Sequence, residues 1–73
     1  MSNKLPVISG EELIKILSKH FGFHPVRQRG NHVILQKDTI VFSIPLHETI
    51  KKGTLKAILK QANVSVKELK EKM

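Results

Sequence analysis

The residues best suited to chemistry lie at positions 28–32, Gln28-Arg29-Gly30-Asn31-His32. His32 directly follows a Gly-Asn pair, which is typical of a tight turn, and Arg27 and Arg29 precede it. Histidine can take or give a proton near neutral pH, and the planar guanidinium of arginine binds phosphate through two hydrogen bonds. Cleavage of an RNA backbone requires such a combination. A plain hairpin turn explains the same residues, so both interpretations stay open.

The composition describes a small and very basic protein. The chain has 73 residues, 40% of them hydrophobic, which predicts one folded domain over residues 1–73. It has no cysteine, which excludes disulfides, thiolate catalysis and cysteine-ligated zinc. No apolar stretch approaches the roughly 18 residues of a membrane helix, and the N-terminus lacks the pattern of a signal peptide. We therefore expect a cytoplasmic protein.

The charge distribution favours a phosphate-rich partner. Thirteen Lys and Arg residues against six Asp and Glu residues give a net charge of +7. Lys52, Lys56 and Lys60 are spaced by four, so they form one stripe on a helix, where like charges repel. An anionic partner would offset that repulsion, and a helix N-terminus itself attracts phosphate. We therefore expect Lys51, Lys52 and Lys56 to bind RNA phosphates, rather than only to solvate the surface.

Local patterns predict helices at both ends of the chain. The capping-box pattern Ser9-Gly10-Glu11-Glu12, followed by apolar residues at helical spacing and a stop at Gly22, predicts a helix over about 10–20. An apolar face that ends near Asn63 predicts a second helix, and the capping box Ser65-Val66-Lys67-Glu68 predicts a short third one through about residue 72. The arm at 5–8 is expected to be extended, with its apolar residues packed on the domain.

The middle of the chain has the patterns of three strands. They are predicted at roughly 23–29, at 32–36 and from Ile40 until Pro45, with turns at Gly30-Asn31 and Asp38-Thr39. The order is therefore α-β-β-β-α with a short extra C-terminal helix. It predicts an α+β fold, a three-stranded antiparallel sheet with both main helices on one face.

This order, with lysines at the start of the last main helix, resembles the double-stranded-RNA-binding fold. A closer resemblance, to the HicA toxin family, covers nearly the whole chain in ordered blocks: Pro6-Val7-Ile8-Ser9-Gly10, Gly22-Phe23, Arg27-Gln28-Arg29-Gly30-Asn31-His32, Ile44-Pro45-Leu46-His47 and Lys52-Gly53-Thr54-Leu55 with Ile58-Leu59. That resemblance implies a type II toxin–antitoxin toxin that cleaves mRNA as an endoribonuclease, an mRNA interferase. It makes His32 the essential catalytic histidine and implies a HicB-type antitoxin that covers the active surface. Two departures are a short loop between the second and third strands, and Leu35 where the family often has an aromatic residue.

The remaining histidines are weaker candidates than His32. Two roles fit His47: an auxiliary proton transfer, or shaping of the loop before the second main helix, which we favour. His20 and His24 are four apart, but Gly22 and Pro25 prevent the helix that would align them as metal ligands. We therefore expect catalysis without metal or cofactor.

Strand alternation places the side chains of Arg27 and Arg29 on one face of the sheet, whereas the face on which His32 lies depends on the turn.

Two alternatives to a catalytic toxin remain. One is a non-catalytic RNA-binding module, and the other is a degenerate toxin retained for binding a partner.

Overall fold

The computed structural model describes residues 4–73 and confirms the predicted order of elements. The elements are α1 (Gly10–His20), β1 (His24–Arg29), β2 (His32–Lys37), β3 (Ile40–Pro45), α2 (Lys52–Ala62) and α3 (Val66–Glu71). The three strands form one antiparallel sheet in the order β1-β2-β3. The fold is therefore α+β, as predicted, and is consistent with the double-stranded-RNA-binding type.

The helix ends follow the predicted caps, with one correction. Ser65 and Glu68 form the complete capping box of α3, and the hydrogen bond from the Ser65 backbone N–H lowers the pKa of Glu68. At α1, the Ser9 hydroxyl accepts from the Glu12 backbone N–H at 3.1 Å, but the return bond from the Ser9 backbone N–H to the Glu12 carboxylate is not formed. Glu12 is therefore not part of a capping box and, being exposed, serves only as a first-turn acid near the positive end of α1.

Two-residue turns join the strands. In the first turn, Gly30 has a positive φ of 59° and Asn31 does not. The only non-glycine residues with positive φ among residues 4–73 are Asp38 and Asn63. A positive φ at the first turn position alone is the pattern of a type II′ hairpin, so Gly30 rather than Asn31 meets the conformational demand. Asp38 has the equivalent position in the second turn, with a φ of 53°. The loop between β2 and β3 is therefore short, as its sequence predicted.

One face of the sheet is covered and the other is open. Val33 and Leu35 of β2 and Phe42 and Ile44 of β3 are buried with residues of the helices in one hydrophobic core. The intervening residues face the opposite side, as strand alternation requires, and they include Val41, which is 54% exposed. Both main helices therefore lie on the covered face.

The arm before α1 follows its prediction in part. Ile8 is buried and Leu5 packs against the core, but Val7 is 77% exposed. None of the helices within the described residues is long and apolar enough to cross a membrane.

Candidate nucleic-acid interface

The strand register places His32 on the same face of the sheet as the two arginines. Arg29 pairs with His32, and Arg27 pairs with Ile34, two residues further along β2. Directly opposite residues of an antiparallel pair project to the same face. A β-bulge between Pro25 and Arg27 shifts the register only before this point. Arg27, Arg29 and His32 therefore share the open face of the sheet, which strand alternation by itself left undecided.

All three side chains are accessible. Every residue of β1 is exposed, and so is His32 at the start of β2. Within residues 4–73, no hydrogen bond or ion pair engages the side chains of Arg27, Arg29 or His32. Gln28 has a different role, because its side-chain amide donates to the Gly30 carbonyl at 3.1 Å and so braces the turn. The guanidinium and imidazole groups are thus available to an external ligand, while the turn beside them is held.

The topology brings several chain segments to one end of the fold. In an antiparallel sheet the end of β1, the start of β2 and the end of β3 lie together, and His32 pairs with Pro45. The loop after Pro45 leads directly into α2, and the start of α1 packs against the same loop. We call this region the histidine end of the fold; it comprises residues 8–10, 29–32 and 45–52.

Backbone hydrogen bonds tie the histidine end together. The Leu46 N–H donates to the Asn31 carbonyl at 2.6 Å, and the Gly10 N–H donates to the His47 carbonyl at 2.9 Å. A third bond, at 2.9 Å, runs from the Ile50 N–H to the Ile8 carbonyl. Because main-chain bonds link the His32 turn to α1 and to the loop before α2, His32 has a fixed position relative to both helix starts.

The contact between α1 and the end of β3 depends on a glycine. A Cβ atom on Gly10 would lie 1.9 Å from the Pro45 carbonyl oxygen and 2.9 Å from its carbon. Both are backbone atoms and have little freedom to move away, so only glycine permits this approach. Gly10 therefore sets the packing at the histidine end.

The structure places His47 in the same loop without a side-chain partner. Its carbonyl accepts from Gly10, while the imidazole is exposed and makes no hydrogen bond to the described residues. The main-chain bond is consistent with a role in shaping the loop, and the exposed imidazole is accessible to an external ligand.

The start of α2 presents positive charge without compensation. Lys51 is the N-cap residue and provides no side-chain hydrogen bond, and the first turn contains no acidic residue. By contrast, α1 and α3 each begin with a serine cap and have at least one acidic residue in the first turn. The lysines predicted to bind phosphate are all exposed: Lys51, Lys52 and Lys56. Lys51 and Lys52 lie at the histidine end, and Lys56 follows one turn along the helix.

The other two histidines lie elsewhere. His20 ends α1, and His24 begins β1, where it pairs with Gln36 at the far end of the sheet from His32. Among the residues that the structure describes, no group of three or more His, Cys, Asp or Glu side chains could hold a metal ion.

A small cavity at the histidine end was not predicted from the sequence. It has a volume of about 230 Å³ and is lined by Ser9, Glu11, Leu46, His47 and Glu48. The two lining segments are some 35 residues apart along the chain, so no local pattern joins them. Only the packing of α1 against the end of β3 creates this feature.

Comparison with known protein families gives one decisive match. The family described as HicA toxin of bacterial toxin-antitoxin matches residues 10–64. This span covers well over half of the chain, from the first residue of α1 to the end of α2 and beyond. The chain belongs to the HicA toxin family. Neither the curated proteins nor the solved structures give a significant match to it.

Membership of the HicA toxin family gives this protein its general function. HicA toxins are the toxin components of toxin–antitoxin systems and generally cleave mRNA, so RNA and an antitoxin are the partners that membership implies. The matched span contains all the candidate site residues: Arg27, Arg29, His32, His47, Lys51, Lys52 and Lys56.

Proposed function

We propose that this HicA toxin is an mRNA interferase, an endoribonuclease that uses His32 for acid–base cleavage of RNA without a metal. The observation that carries the proposal is the strand register, which puts the exposed imidazole of His32 beside Arg29 on the open face of the sheet. A proton-transfer group and cations around the reacting phosphate are then available on one accessible surface.

The proposed reaction is transesterification within the RNA strand. The ribose 2′-hydroxyl loses a proton and its oxygen attacks the adjacent phosphorus, while the bond from phosphorus to the 5′-oxygen of the next nucleotide breaks and that oxygen gains a proton. The products are a 2′,3′-cyclic phosphate and a 5′-hydroxyl. His32 performs one of the two proton transfers, and Arg27 and Arg29 neutralise the charge that develops on the phosphate oxygens. His47 or water is the candidate for the second proton transfer.

The RNA strand is held beyond the reacting phosphate by the start of α2. Phosphates bind best where free backbone N–H groups and positive side chains coincide. Lys51 and Lys52 meet both conditions, because α2 has no side-chain cap and no acid in its first turn. Lys56, exposed one turn further along, extends the same surface.

Substitution of Lys52 by alanine tests this phosphate contact. RNA affinity is expected to fall. The negative slope of log affinity against log salt concentration is expected to become shallower by about one, because one phosphate contact is lost. The measurement is a salt titration of RNA binding by the purified protein. Lys70→Ala, on an exposed site in the last turn of α3, removes the same charge and should leave the slope unchanged. An equal change of slope in both variants would mean that Lys52 contributes only to the net charge of the protein and does not contact a phosphate.

Removal of metal ions tests whether RNA cleavage is independent of metal. Purified protein, dialysed against a chelator, is expected to cleave RNA at the same rate with EDTA as with added Mg²⁺, apart from the effect of ionic strength. The fragments should end in a 2′,3′-cyclic phosphate and a 5′-hydroxyl, because the 2′-oxygen is the nucleophile. Cleavage that needs added metal, or fragments with a 5′-phosphate, would contradict this mechanism.

The antitoxin partner is proposed to be of the HicB type, acting on a toxin that works in the cytoplasm. The surface it must neutralise is exposed and cationic, with Arg27, Arg29 and the lysines at the start of α2. An acidic surface on the antitoxin would complement it and would compete directly with RNA phosphates.

A further inference from the structure

The cavity at the histidine end has an unusual lining for so basic a protein. Glu11 and Glu48 are two of only six acidic residues in the chain, and both line the cavity, whose volume is about 230 Å³. Ligand sites for whole drug-sized molecules begin at about 300 Å³, so this cavity suits one ring system rather than a complete nucleotide. Leu46 contributes an apolar wall to it.

One lining segment of the cavity, residues 46–48, joins the two proposed phosphate contacts along the chain. On one side, Leu46 is bonded to Asn31, the residue before His32. On the other side, the chain reaches Lys51 only five residues after Leu46, which places their Cα atoms within about 18 Å of each other. An RNA strand that has one phosphate at His32 and another at the start of α2 would run close to the segment 46–48, which forms one side of the cavity.

The position of Glu11 is explained by the helix that it begins, whereas no interaction within the described residues explains that of Glu48. Glu11 lies in the first turn of α1, where a negative charge is favourable without any ligand. Glu48 lies in the loop outside every helix and is exposed. Among residues 4–73, its side chain has no hydrogen bond and no ion pair. A free carboxylate repels phosphate, so it can accept a hydrogen bond only from a ribose hydroxyl or from a donor on a base. The apolar side chain of Leu46 in the same lining favours the flat ring of a base over a ribose.

We propose that this cavity is a base-binding subsite of the toxin, in which Glu48 accepts a hydrogen bond from the exocyclic amino group of a base. Leu46 packs against the base ring. Carboxylates accept from the amino group of cytosine in this way, whereas uracil presents a carbonyl oxygen at the same position and is repelled. The inference rests on the proposed ribonuclease function, because it assumes that RNA crosses the histidine end.

Cytidine and uridine monophosphates are probes that isolate the base. They carry the same phosphate and sugar, so their interactions with the lysines cancel in a comparison. We expect titration of the full chain, followed by backbone amide NMR, to shift the signals of residues 46–48 with both nucleotides, with CMP bound about tenfold more tightly than UMP. Equal affinities, or shifts that do not reach residues 46–48, would overturn the proposal.

Variants then assign the preference to one carboxylate. Glu48→Gln is expected to abolish most of the difference between CMP and UMP, because the charged acceptor is lost. Glu71→Gln, at the exposed end of α3, makes the same charge change and should keep the difference. If Glu48→Gln retains the full preference for CMP over UMP, the subsite does not recognise the base through Glu48, and the proposal is wrong.

A cleavage assay separates this proposal from the ribonuclease function. Two RNA oligonucleotides that differ only by C or U at the nucleotide beside the cleaved bond should be cut at rates that differ about tenfold in the wild type and by less in Glu48→Gln. Cleavage of both at equal rates would overturn the subsite and leave the ribonuclease intact. Absence of any cleavage, together with preferential CMP binding at residues 46–48, would overturn the ribonuclease and retain the subsite.

Discussion

Replacement of His32 by alanine is expected to slow RNA cleavage by about 10²–10⁴-fold, the usual contribution of one general acid or base. The folded structure should survive, because His32 is exposed and makes no side-chain hydrogen bond to the described residues, so the free energy of unfolding should change by no more than about 0.5 kcal/mol. The measurement is the single-turnover rate with RNA, together with RNA affinity. The rate should fall while affinity stays close to that of the wild type.

A matched control exists on the same face of the sheet. His24→Ala removes an exposed histidine at the other end of the hairpin, where it pairs with Gln36. It should leave the cleavage rate almost unchanged, because His24 lies far from the histidine end. Equal losses in the two variants would mean that the sheet face as a whole, rather than the imidazole of His32, supports cleavage.

Replacement of Gly10 by alanine is expected to have the largest effect on stability, lowering the free energy of unfolding by about 3 kcal/mol. The added Cβ would lie 1.9 Å from the Pro45 carbonyl oxygen, so α1 and the end of β3 must separate. The same separation strains the bond from the Gly10 N–H to the His47 carbonyl. Urea denaturation measures the loss of stability.

Gly53→Ala is the control for the Gly10 variant. Gly53 lies in the first turn of α2, and a Cβ there meets no atom within 4 Å. Alanine is the better helix former, so this variant should be neutral or more stable by up to about 1 kcal/mol. A loss in Gly53→Ala similar to that in Gly10→Ala would contradict the close-approach argument.

Much of the fold could be predicted because its determinants are local. Gly22, with a φ of 79°, ends α1, and Asn63, with a φ of 60°, ends α2; both residue types tolerate left-handed backbone better than others. The alternation of apolar residues in β2 and β3 fixed which side chains are buried. Each of these predictions depended on residues within a few positions of one another.

The candidate site was less predictable, because it depends on contacts between distant segments. Whether His32 shares a face with Arg29 is decided by the turn geometry, which makes the two residues a directly opposite pair. The cavity with Glu48 exists only because α1 packs on the end of β3, and the need for glycine at position 10 arises from the same contact. The importance of His32 came from family resemblance, since a lone histidine after a turn does not distinguish a catalyst from a surface residue.

The central claim is that this protein is a toxin because His32 cleaves RNA, and its most direct test is expression in bacterial cells. Wild type and His32→Ala should be induced to equal protein levels, with growth and the integrity of total mRNA followed together. The wild type is expected to arrest growth and fragment mRNA, whereas His32→Ala should do neither. Equal growth arrest and equal mRNA fragmentation by the two proteins would contradict the account.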